Sequence, residues 1–171
     1  MNKNVLPKHY HYSCYLFSNN AKNLLKSFVI QCLSSMNGLS KTMPIYVSGK
    51  NEKVIGEAKI SMTFALSLKL NVSYNKVTFI AKKLYSHEKI NLYIKLRVLY
   101  HYLDSNIRKY CWSDKYFIEI NFIKNAIKLN FFHISGLRRF SIEDFLEIFY
   151  QRLINLFREY DMQPDVKIIK I

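Results

Sequence analysis

The chain has 171 residues, with 26 Lys and Arg against 12 Asp and Glu, a formal charge of +14 and a pI near 9.7. That length suits a single domain over residues 1–171 with enough chain to bury a core, and a composition 50% hydrophobic and 15% aromatic excludes a disordered basic tail. The positive surplus predicts a polyanionic partner: nucleic acid first, an anionic membrane surface second.

Lys, Ile, Asn, Tyr and Phe supply 79 residues while Gly and Ala together supply nine. All five are written with A/T-rich codons, which points to an A/T-rich genome such as that of an organelle, an endosymbiont or a parasite. Cys14, Cys32 and Cys111 lie far apart in sequence and form no Cys-x-x-Cys pair. A disulfide framework and a thiolate metal cage are therefore disfavoured, and a reducing compartment is expected. The first residues form neither an apolar signal core nor an Arg/Ser-rich transit peptide. No apolar run approaches the roughly 20 residues that a membrane-spanning helix needs, so a soluble protein is expected.

In chain order, the first helix follows Ser18-Asn19-Asn20. Leu24, Leu25, Phe28, Val29, Cys32 and Leu33 recur at helical spacing, and Asn37-Gly38 marks the stop. Ser40 to Glu57 reads as loop-rich around the short apolar run Ile45-Tyr46-Val47. Residues 60–70 are apolar at every second position, the pattern of a strand with one buried face. A second alternating run buries Ile90, Leu92, Ile94, Leu96 and Val98 and turns Asn91, Tyr93, Lys95 and Arg97 to the other side. A helix is expected over Leu99–Tyr110. The runs Tyr116–Ile123 and Ala126–His133 flank Lys124-Asn125 as a hairpin. Ser141-Ile-Glu-Asp144 resembles a capping box, and Ile142, Phe145, Leu146, Phe149, Leu153, Leu156 and Phe157 form an apolar helical stripe behind it. Beyond Pro164, residues 166–171 close the chain as a strand. The expected fold is α+β, with helices packed on one face of a largely antiparallel sheet.

The charge is unevenly distributed. Residues 1–60 carry 8 basic and 2 acidic groups, residues 61–140 carry 14 and 4, and residues 141–171 carry 4 and 6. The basic field therefore lies in the first 140 residues. Lys41, Lys50, Lys53, Lys76, Lys82, Lys83 and Lys89 fall near loops and strand ends, where ammonium groups suit phosphate contacts. Tyr93, Lys95 and Arg97 on one strand face combine charge with an aromatic ring, a combination suited to RNA.

Little in the chain asks for catalysis. There is no G-x-S-x-G elbow, P-loop or dinucleotide glycine fingerprint. Glu143, Asp144 and Glu147 are explained by capping and the helix dipole. Glu88, Asp104, Asp114 and Glu119 form no recognisable pair within the basic region. His9 and His11, flanking Tyr10, have no Asp or Glu near them in sequence to complete a metal site. No cofactor or metal is expected, and the chain reads as a non-enzyme.

Several segments, taken in order, resemble one family, the large-subunit ribosomal protein numbered five in the universal series, in its organelle-encoded branch. Leu6-Pro-Lys-His-Tyr-His-Tyr12 followed by Leu24-Leu25 is similar to the family's His-Tyr segment and leucine-rich first helix. Pro44 before Ile45-Tyr-Val47 resembles the proline preceding the family's first strand. Val77-Thr-Phe-Ile-Ala-Lys-Lys83 resembles its Thr-x-Ala-Lys-Lys motif with one added residue. Leu96-Arg97 and Leu99-Tyr-His-Tyr-Leu-Asp104 resemble a Leu-Arg strand end and the helix start that follows it. Phe145-Leu-Glu-Ile-Phe149 and the final strand fall where the family has its last acidic segment and strand. The family's Arg-Asp-Phe-Arg-Gly stretch is absent, and its Gly-Met-Pro-Ile-Gly loop tip is reduced to Glu88-Lys89-Ile90.

The resemblance implies a structural constituent of the mitochondrial ribosome, in the matrix, that binds 5S and large-subunit rRNA in the central protuberance. It implies neighbouring ribosomal proteins as partners. The loop around Thr78–Ile90, with Lys82 and Lys83, would approach the peptidyl-site tRNA, and another part would bridge to the small subunit. The RNA-binding residues expected on these grounds are His9, Tyr10, His11, Lys41, Lys50, Lys76, Lys82, Lys83, Lys89, Lys95 and Arg97. Three other readings compete. A small-subunit ribosomal protein carries a Gly-Pro-Ile-Pro-Leu-Pro loop, of which only Met43-Pro44-Ile45 remains here. A peripheral subunit of an organellar membrane complex would need a basic amphipathic helix, whereas the best helix here is acidic. A basic nuclease would need metal-holding carboxylates.

Overall fold

The computed structural model describes residues 12–18, 22–47, 49, 52–66, 70–72, 91–123, 126–163 and 166–170. In chain order the elements are β1 (Tyr12–Ser18), α1 (Lys22–Met36), β2 (Ser40–Tyr46), β3 (Lys53–Leu66), β4 (Leu70–Val72), β5 (Leu92–Asp104), β6 (Ile107–Ile123), β7 (Ala126–Ser135), α2 (Ile142–Glu159) and β8 (Val166–Lys170). The strands join one sheet in the order β2-β3-β5-β6-β7-β1-β8, with β4 folded back on β3. All of these pairings are antiparallel. The fold is α+β, as the periodicity predicts, and both helices cover the same face of the sheet.

Alternation builds the core. Ile60, Met62 and Phe64 of β3, Leu92, Ile94, Leu96, Val98 and Tyr100 of β5, Ile118 and Ile120 of β6, and Ile127, Leu129 and Phe131 of β7 all point inward. The two helices add their apolar stripes, Leu25 to Met36 from α1 and Phe145 to Phe157 from α2. Phe28 meets Phe157 edge-on at 4.8 Å, and Phe145 meets Phe131 of the sheet at 5.4 Å. Tyr12 packs against Phe131 from β1, a strand on which sequence analysis placed no element.

The helix ends are fixed by the residues that the sequence marks. Gly38 takes φ +86°, a left-handed conformation that ends α1 with little strain. Its amide donates to Ile60 O at 2.8 Å, and the Asn37 side chain accepts from Met62 N at 2.7 Å, so the helix stop is also the dock onto β3. Ser141 caps α2 reciprocally: its hydroxyl accepts from Asp144 N at 3.0 Å while Asp144 accepts from Ser141 N at 2.9 Å.

Three expectations are corrected. Leu99–Tyr110 is not a helix. β5 runs on to Asp104, turns at Ser105-Asn106, and returns as β6. Ser105 and Asn106 have φ of 50° and 65°, the two left-handed residues that a tight hairpin requires. A bulge sets Tyr100 opposite Trp112 but His101 opposite Tyr110, which breaks the alternation and hides the strand from periodicity. The stretch Ser40 to Glu57 is not loop-rich but holds β2 and the start of β3. β2 is an edge strand exposed at most positions, so it lacks an apolar signal, and an edge tolerates Pro44. Residues 60–70 are not one strand, because Leu70–Val72 reverses to pair with Phe64–Leu66. The Lys124-Asn125 turn lies outside the described residues.

At one end of the core a polar knot replaces apolar packing. Asp114, fully buried, accepts from the Tyr100 hydroxyl at 2.6 Å and from the amides of Arg138, Arg139 and Phe140 at 2.9, 2.8 and 3.3 Å. Gly136 takes φ +110°, and a Cβ there would lie 2.2 Å from Asp114 Oδ1, so the loop can approach the carboxylate only through glycine. Replacing Asp114 by Ala leaves the buried Tyr100 hydroxyl and the Arg138 and Arg139 amides without this acceptor, while the Phe140 amide keeps the Tyr100 oxygen. Urea unfolding of Asp114→Ala should show a loss of about 3 kcal/mol or more.

Acidic protons are buried in the same core. Burial pushes the Cys32 thiol from 9.0 up to about 12, and its S–H donates to Phe149 O at 3.2 Å. Burial, then the hydrogen bond to Asp114, raises the Tyr100 hydroxyl. Burial, then the Asp114 charge, raises Tyr116. Folded pKa values above the unfolded ones mean that this stability is complete at neutral pH and is lost in alkali, where the unfolded chain ionises first. The urea midpoint should hold at neutral pH and fall as pH passes 9.0, then 10.0, with a shallower fall in Tyr116→Phe.

Candidate nucleic-acid interface

The helices bury one side of the sheet, so the alternate residues of the same strands form its far side. On β5 these are Tyr93, Lys95 and Arg97. The register sets Thr63 of β3 and Phe117 of β6 beside Lys95, and Ser61 of β3 and Lys115 of β6 beside Arg97. Lys59, half-buried, lies further along β3, beside Leu99. Ser61, Thr63, Lys95, Arg97 and Lys115 are all exposed. Strand geometry spaces neighbours on this face by about 7 Å along a strand and about 5 Å across strands. The result is a compact lattice of cations and hydroxyls.

The carboxylates of this face are committed elsewhere. Glu57 accepts from Arg108 at 2.6 Å. Glu119, 8% exposed, accepts from the Tyr93 hydroxyl at 3.4 Å and the Asn130 amide at 2.8 Å. Among the described residues no carboxylate pairs with Lys95, Arg97 or Lys115, so three positive charges stand together without neutralisation.

Of the residues expected to touch RNA, Lys95 and Arg97 are together on this face. Lys41 is not with them: it pairs with Asp144 at 2.8 Å beside the cap of α2. The hydrogen bond to Asp144 raises the Lys41 pKa. Burial pushes Asp144 up, but Lys41 and Ser141 outweigh it and hold the carboxyl below its usual value. His9, Tyr10, His11, Lys50, Lys76, Lys82, Lys83 and Lys89 lie outside the described residues.

Tyr93 does not offer an open ring. It is 8% exposed, stacked on Phe117 at 5.6 Å, with Phe132 behind at 5.9 Å from Phe117. Sequence reasoning missed Lys115, Ser61 and Thr63. Lys115 sits one residue ahead of the expected strand, and cross-strand register was the missing information. Two other cations lie over rings at the sheet end: Lys53 is 4.8 Å from the Tyr46 centroid, and Arg139 is 4.6 Å from Tyr46 and 5.7 Å from Trp112.

An open groove of about 460 Å³ is lined by Ser40, Thr42, Glu57, His101 and Arg108 among others. Burial and then Arg108 lower the His101 pKa, and Glu57 is bound to Arg108, so the groove holds no free acid–base pair. No three His, Cys, Asp or Glu side chains converge as a metal set among the described residues. No helix among them is long and apolar enough to cross a membrane. Compared with known proteins, the chain matches no family model, no curated protein and no solved structure.

Because the three cations are exposed and unpaired, their removal should not harm the fold. Thermal melts of Lys95→Ala/Arg97→Ala/Lys115→Ala should place its stability within about 1 kcal/mol of the parent.

Proposed function

We propose that the chain is a non-catalytic RNA-binding constituent of the large subunit of a mitochondrial ribosome, seated in the central protuberance against 5S and neighbouring large-subunit rRNA. The observation that carries the RNA-binding part is the unneutralised group Lys95, Arg97 and Lys115 on the open face of the sheet. Such a group supplies affinity for phosphates without demanding sequence.

The ribosomal placement rests on the ordered likeness to the family numbered five, together with the charge partition along the chain. The leucine-rich first helix, the acidic terminal helix and the last strand support it. Two of the likenesses lose their structural counterpart, since Leu99–Asp104 is strand rather than helix and Pro44 lies within β2 rather than ahead of it. The exposed acids Glu143, Glu147, Glu159 and Asp161 on and after α2 suit contact with basic neighbouring ribosomal proteins. The Thr78–Ile90 loop that the resemblance turns toward tRNA lies outside the described residues.

Ultraviolet crosslinking in native mitochondrial extract, with sequencing of the attached RNA across a sedimentation gradient, tests the whole reading. Crosslinks to 5S or large-subunit rRNA that peak with the large subunit are expected. A protein that peaks with the small subunit, or floats with membranes without specific RNA, contradicts it. In purified form, the Lys95→Ala/Arg97→Ala/Lys115→Ala variant should bind RNA more weakly, with a log–log salt slope shallower by about 3 if each cation contacts one phosphate of a duplex.

A further inference from the structure

The composition of the open face narrows the kind of RNA it can hold. Resting on the RNA-binding reading above, we infer that this face takes the backbone of an A-form RNA duplex, and neither a single strand nor a DNA duplex.

Proteins that hold single strands do so by stacking bases on exposed rings beside a cationic groove. Here the aromatic side chains of the central far face are closed to a base: Tyr93, Phe117 and Phe132 are 8%, 9% and 1% exposed and pack on one another. Next to these closed rings the exposed side chains are Lys95, Arg97, Lys115, Ser61 and Thr63, and an exposed ring of this face, Tyr110, lies further out on the hairpin, edge-on to His101. The cations match phosphates, and a rigid sheet fixes their spacing, which favours a backbone whose phosphates are already ordered. The hydroxyls of Ser61 and Thr63 both donate and accept, as does the ribose 2′-OH, and each stands one strand away from a cation. Phosphate and 2′-OH contacts across a wide, shallow minor groove are how duplex RNA is recognised without reading bases. DNA lacks the 2′-OH and offers a different groove.

Fluorescence anisotropy with the full chain tests this, using a mixed-sequence RNA duplex of about 16 base pairs, one of its strands alone, and the DNA duplex of the same sequence. The RNA duplex should bind about tenfold more tightly than either alternative, the size expected when one or two net hydrogen bonds are gained. Ser61→Ala/Thr63→Val should weaken RNA-duplex binding more than DNA-duplex binding and so erase the preference for RNA. Thr63→Ser alone should keep the preference. A single strand that binds as tightly as the duplex, or equal affinity for RNA and DNA duplexes, overturns the inference and leaves RNA binding intact. Absence of binding to all three probes overturns the RNA-binding reading itself.

Discussion

Asp114 brings a carboxylate to the end of an otherwise apolar core, and four donors converge on it from two parts of the chain. The Tyr100 hydroxyl arrives from the neighbouring strand, while the Arg138, Arg139 and Phe140 amides arrive from the loop that leads into α2. Tyr100 accepts in turn from Phe140 N at 2.7 Å, so the hydroxyl is used in both directions. A buried charge is tolerated only when its lone pairs are satisfied, and here the satisfaction dictates the path of the loop. Gly136 permits the approach, Arg138 adopts φ 54°, and Ser141 emerges in position to cap α2. One polar knot thereby aims the longest apolar stripe of the molecule at the sheet.

The consequence is a molecule with two unlike sides. Once α2 and α1 cover one face, the period-two geometry of the strands commits every alternate residue to the other. Lys95 and Arg97 are far-side residues because Ile94, Leu96 and Val98 are core residues. The same logic brings Lys115, Ser61 and Thr63 beside them through register rather than through sequence proximity. Acidic groups gather on the helix side, where Glu143 and Asp144 serve the helix dipole and Asp144 neutralises Lys41. Among the described residues, Lys95, Arg97 and Lys115 thus gather on the exposed part of the far side.

The sequence was most legible where one physical signal acted alone. The stripe and capping box of α2, the stop of α1 at Asn37-Gly38 and the alternation of Leu92 to Val98 each carried their own mechanism, and each element formed. It misled where two rules competed. Leu99, Tyr100 and Leu103 fit helical spacing as well as strand spacing, and the bulge near Cys111 broke the alternation that would have decided between them. β2 carried no pattern because an edge strand buries little beyond Ile45. The pairing of β1 between β7 and β8 joins residues more than a hundred positions apart, which no local pattern encodes. Within the candidate interface, Lys95 and Arg97 could be read from one strand, whereas Lys115, Ser61 and Thr63 needed three strands in register. The closure of Tyr93 beneath Phe117 also depended on cross-strand neighbours.

The central claim is that the open face of the sheet, and not the helix side, meets RNA. Mass-spectrometric mapping of the RNA-crosslinked peptides from native particles tests it most directly. The account predicts adducts on peptides of β3, β5 and β6 around Ser61, Lys95, Arg97 and Lys115, with α2 unmodified. Adducts confined to α2 and its flanks, with those strands unmodified, would contradict it.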